Sequence, residues 1–87
     1  MIRHIDLGND EAARRAAVRR LIHNKEIGLG GYSLGKIYGK LSCTSGKRMK
    51  VENRVFFKNE AEAITAGYRP CGHCMREEYL KWKNALF

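Results

Sequence analysis

The stretch Gly67-Tyr68-Arg69-Pro70-Cys71-Gly72-His73-Cys74 constrains the fold of this chain more than any other. It is a turn followed by a Cys-x-x-Cys pair. Two thiolates at that spacing hold one metal ion from one side, and a tetrahedral zinc site needs ligands from a second segment to complete it. The chain has three cysteines, and the third, Cys43, lies upstream in a basic, glycine-containing loop. A domain that brings Cys43 to Cys71 and Cys74 is therefore expected. Pro70 holds Arg69 extended and presents Cys71 at a fixed angle. Three cysteines still leave a four-ligand site one short.

The chain has 87 residues, so a single domain over 1–87 is expected. Its parts are an N-terminal helix and hairpin over 9–38 and a metal and basic-loop region over 39–87. A domain this short buries a smaller fraction of its surface than a large one, and a metal often supplements the core. The formal charge is +8. Such an excess points to a polyanionic partner, nucleic acid before membrane. No apolar run approaches the roughly 20 residues that span a bilayer. The opening Met1-Ile2-Arg3-His4-Ile5-Asp6 lacks the apolar core of a signal peptide. Three cysteines without an export signal suit a reducing cytoplasm and a metal or free-thiol role, not a disulfide framework.

Along the chain, residues 1–8 read as a lead-in. Asn9 or Asp10 caps a helix that runs to about His23, with Ala17, Val18, Leu21 and Ile22 on one face. Arg15 and Arg19 are one turn apart on another face, beside Arg14 and Arg20. They are either a solvated face or a phosphate-facing one. Short strands are expected at 26–29 and 35–38, with Gly30-Gly31 and Gly35 permitting the turn. Lys40, Lys47, Arg48, Lys50, Arg54 and Lys58 then crowd one region, opposed by Glu52. Ser45-Gly46-Lys47 lacks the rest of a phosphate-loop pattern.

Arg54-Val55-Phe56-Phe57 is the clearest strand signal, with its aromatics in the core. Asn59-Glu60-Ala61-Glu62 opens a short helix with a capping-box pattern, and Gly67 stops it. A final helix is expected from Gly72, with Met75, Tyr79, Trp82 and Leu86 as its buried stripe. Cys74 then falls in that helix's first turn, where the helix dipole favours a thiolate.

Ile37-Tyr38, Ser42-Cys43, the basic loop, Glu52-Asn53-Arg54-Val55-Phe56-Phe57, Glu62-Ala63 and Gly67-Tyr68-Arg69-Pro70-Cys71-x-x-Cys74 resemble, in that order, the metal-binding N-terminal domain of the Ada DNA-repair protein family. The resemblance implies an α+β domain, a small sheet flanked by an N-terminal and a C-terminal helix, with one zinc. Four cysteines bind that zinc in the repair proteins. One of them takes a methyl group from a DNA methylphosphotriester. Cys43, Cys71 and Cys74 match three of the ligands. The family's first ligand stands four positions before Cys43, and here that position is Gly39. The methyl acceptor is thus missing. His4, His23, His73 or a water is left to complete the metal shell.

The leading expectation is a zinc-binding, nucleic-acid-binding module, with DNA as partner and without methyl transfer. It has no catalytic residue, and Lys47, Arg48, Lys50, Arg54 and Arg69 contact phosphates. No base-reading element is evident, so binding should be salt-sensitive and weakly sequence-specific. Two alternatives stand beside it. One is a metal-dependent enzyme or alkyl acceptor that uses Cys43. The other is a protein-interaction module whose basic face meets an acidic partner.

Overall fold

The apolar run Arg54-Val55-Phe56-Phe57 shows no alternation, which suits a strand covered on both faces. It takes that place in the computed structural model, which describes residues 1–42 and 49–85. The elements are β1 (Ile2–Arg3), α1 (Glu11–His23), β2 (Leu29–Tyr32), β3 (Ile37–Lys40), β4 (Arg54–Phe57), α2 (Glu60–Thr65), β5 (Arg69–Pro70) and α3 (Arg76–Ala85). Single 3-10 turns lie at His4–Leu7 and Val51–Asn53. The strands form one sheet in the order β1-β4-β2-β3-β5. Its pairs are antiparallel except β3 with β5. The fold is α+β, with a helix at each end of the chain.

Val55, Phe56 and Phe57 are buried because β4 has strands on both sides and cover on both faces. On one face Val55, Phe57 and Tyr38 join Ala63 of α2, Tyr68 and Met75. The Phe57 and Tyr68 rings meet edge-on at 4.8 Å. On the other face Phe56 takes the His4 ring edge-on at 5.3 Å. The Arg54 guanidinium lies over the same ring at 5.1 Å. Burying each phenylalanine stabilises the fold by about 1.5–3 kcal/mol.

The local start and stop signals work as expected. Asp10 accepts from the Ala13 amide at 2.7 Å, and α1 ends at His23. Asn59 accepts from the Glu62 amide at 2.9 Å, and the Glu62 carboxylate reaches back to the Lys58 amide at 3.3 Å. Gly67 ends the turn after α2 at φ +87°, a conformation that suits glycine.

Three expectations need correction. Residues 1–8 are not a plain lead-in, because Ile2–Arg3 adds a strand to the edge of β4. The hairpin strands sit two to three residues later than expected, at Leu29–Tyr32 and Ile37–Lys40, and the turn is 33–36. Gly30 and Gly31 lie inside β2 for a packing reason. A Cβ on Gly31 would come within 2.9 Å of both Phe57 and Val55 side chains. The last helix starts at Arg76, not at Gly72. The Cys71–Cys74 stretch is a separate turn, closed by the Met75 amide donating to the Cys71 carbonyl at 3.0 Å. Cys74 therefore precedes the helix. Of the apolar stripe, Met75 is buried, and Tyr79 and Trp82 are half-buried. Leu86 lies outside the described residues.

Candidate metal centre

The parallel pairing of β5 with β3 positions the cysteine turn. Arg69 and Pro70 lie beside Ile37 and Tyr38. The Cys71 amide extends the ladder by donating to the Tyr38 carbonyl at 2.7 Å. Cys71 thereby arrives next to Gly39. The turn that follows brings Cys74 back over the same strand, where its sulfur accepts from the Lys40 amide at 3.3 Å. The Cys71 sulfur accepts from the His73 amide at 3.4 Å. Backbone N–H groups aimed at sulfur offset the negative charge that a metal-bound thiolate keeps.

Gly39 is the floor of this site. A Cβ there would stand 2.8 Å from the Cys74 sulfur, 3.1 Å from the Cys71 Cβ and 3.9 Å from the Cys71 sulfur. The two sulfurs converge on the space a side chain would take. Gly72 is held less tightly, since a Cβ on it would lie 3.2 Å from the Tyr79 ring.

This geometry lies within a stretch with known relatives. The metal-binding domain of Ada matches residues 29–77, more than half of the chain. The chain belongs to that family. No curated protein and no solved structure matches it. The Ada-family stretch spans β2 through the start of α3, so it contains the β3–β5 ladder and the cysteine turn. It is a metal-binding module, and two partly buried thiols over a side-chain-free strand fit a thiophilic ion such as zinc.

The structure brings Cys71 and Cys74 together, and Cys43 lies outside the described residues. Among the described residues no three His, Cys, Asp or Glu side chains gather where a metal could bind. None of His4, His23 and His73 therefore stands with the two thiols as a third donor. For His4 the reason is topological. It follows β1 at one edge of the sheet, while Cys71 follows β5 at the other edge. Four strand spacings, roughly 19 Å, separate those edges. His73 is exposed and engages the site through its backbone amide.

Of the five cations expected at phosphates, Lys47 and Arg48 lie outside the described residues. Lys50 is exposed just ahead of the Val51–Asn53 turn. Arg54 is half-buried over Phe56, and that burial lowers its pKa from the usual arginine value. Arg69 makes contacts the sequence does not reveal. Its guanidinium lies 5.3 Å from the Tyr79 ring centre and 5.7 Å from that of Trp82. It also donates to the Pro70 carbonyl at 3.2 Å. The aromatic stripe of α3, expected to be core, instead clasps this cation and fixes α3 against β5. The helical spacing of Tyr79 and Trp82 was readable, but their partner was not.

Proposed function

We propose that this chain is a zinc-binding, nucleic-acid-binding module that does not transfer methyl groups. The observation that carries the reading is Gly39. By the resemblance it stands at the family's first ligand position; it has no ligating side-chain atom, and the cysteine sulfurs lie beside it. Cys43, Cys71 and Cys74 would hold the ion, whose chemistry here is structural: it cross-links two distant segments of a small domain. The charge of +8 supports a polyanionic partner, DNA first. Lys47, Arg48, Lys50, Arg54 and Arg69 are the proposed phosphate contacts. Arg69 spends one N–H on the Pro70 carbonyl, and a guanidinium carries five such donors.

The experiment has two arms. Incubation with a duplex carrying a methylphosphotriester, followed by intact mass, should leave the protein mass unchanged. A gain of one methyl group, lost in Cys43→Ser, would replace this reading with an alkyl acceptor at Cys43. Fluorescence anisotropy with labelled duplex should show binding at micromolar protein in low salt, weakening steeply as salt rises. No binding in low salt would favour the protein-interaction alternative.

A further inference from the structure

Between α1 and the start of β4 lies a groove of about 630 Å³. Arg14, Arg15 and Arg19 reach it from α1, and Arg54 from β4. Four guanidiniums therefore face one carboxylate, Glu11, which Arg15 engages at 2.8 Å. Arg14 donates to the Gly8 carbonyl at 3.2 Å. Among the described residues neither Arg14, Arg19 nor Arg54 has a carboxylate partner.

His4 forms part of the same wall, and its Nδ1 is buried without a hydrogen-bond partner among the described residues. Burial, then Arg54 and then Arg14, hold its imidazole below the usual histidine pKa. The groove is thus positively biased even at a neutral side chain. Val18 and Val51 add apolar surface to its wall. α1 precedes the residues matched by the Ada family.

We propose that this groove seats the sugar–phosphate backbone of a nucleic acid, with Arg15 and Arg19 as phosphate ligands. Guanidiniums match phosphate oxygens with two parallel donors. Arg15 and Arg19 stand one helical turn apart, about 5–6 Å between Cβ atoms, so they form a row and suit a repeated anion. The groove meets the proposed phosphate-contacting surface at Arg54, which belongs to both. The inference rests on the nucleic-acid reading above and adds α1 to the contacting surface.

The test compares two variants of equal charge change in the full chain. Arg15→Gln/Arg19→Gln alters the groove, and Lys81→Gln/Lys83→Gln alters exposed positions on α3. Glutamine keeps helix propensity, and circular dichroism checks that both variants fold. With labelled duplex in low salt, the arginine pair should weaken binding about tenfold or more. It should also flatten the dependence of log affinity on log salt by about 1.8, at roughly 0.9 per lost phosphate contact. The lysine pair should leave both values unchanged.

Equal losses in the two variants would overturn the groove in favour of bulk charge. Normal binding by the arginine variant would overturn the groove and leave the nucleic-acid reading standing. A wild type that does not bind at all would overturn both. Histidine NMR provides a second readout, since duplex binding should shift the His4 imidazole signals. If pyrophosphate shifts them and duplex does not, the groove takes a small anion and the proposal fails.

Discussion

Gly39 is the residue at which the cysteine site closes most tightly. The resemblance puts a metal ligand at that position, and the strand here runs so close to sulfur that an added side chain would force a shift. A Cβ would press on the Cys74 sulfur at 2.8 Å. Gly39→Ala is therefore expected to cost about 1–3 kcal/mol through overpacking, read by urea unfolding. It should also lower zinc content, because the Cys74 sulfur must shift to make room. His4 offers a second test at this scale. Burial and the neighbouring Arg54 and Arg14 depress its folded pKa below 6.5. The unfolded chain then binds the proton more readily, so this contribution is whole above pH 6.5 and is lost as pH falls through the folded pKa. The urea midpoint of the wild type should drop as pH falls below about 6.5. His4→Leu should show a shallower drop, and an unchanged slope would remove His4 as the cause.

Among the elements, β2 is where pattern reading and packing part company. A Gly-Gly pair reads as a turn, yet Gly30 and Gly31 are paired with β3 and β4 on either side. The two are not equivalent. A Cβ on Gly31 would meet Phe57 and Val55 at 2.9 Å, whereas one on Gly30 would find its nearest neighbour, Leu41, at 3.8 Å. Gly31→Ala should cost about 1–3 kcal/mol, while Gly30→Ala should be neutral or stabilising by about 0.5–1 kcal/mol. Thermal melts of the two variants side by side check this, and equal effects would contradict the packing account. The helix caps were legible, because a cap is written within four residues. Asn59→Ala should destabilise by about 1 kcal/mol. The role of α3 was not legible. Its stripe has helical spacing, but whether such a stripe enters a core or clasps a cation depends on what lies opposite, here Arg69 on β5.

For the whole molecule, the metal is the expected source of stability. Structural zinc supplies about 10–16 kcal/mol in the smallest zinc domains, comparable with the 5–15 kcal/mol that typically separates a folded domain from its unfolded chain. Treatment with a strong chelator should lower the melting temperature by roughly 10 °C or more, or abolish the transition. Cys71→Ser should behave like chelated wild type and carry no stoichiometric zinc by elemental analysis. If chelation leaves the melting curve unchanged, the metal does not hold this fold together.

The sequence by itself determined the features whose cause is local. These include the interior strand β4 from the Val55-Phe56-Phe57 run, the capped starts of α1 and α2, the stop at Gly67 and the pair of thiols in one turn. The cysteine spacing and the residues around it also carried the family. Only the tertiary structure decided the rest, because the causes are contacts between residues far apart in the chain. The parallel register of β5 on β3 sets Cys74 against Lys40, 34 positions away, and makes Gly39 the floor of the site. The addition of β1 at the opposite edge takes His4 away from the thiols and places it among arginines. No periodicity within either segment encodes those distances; the order of strands in the sheet does.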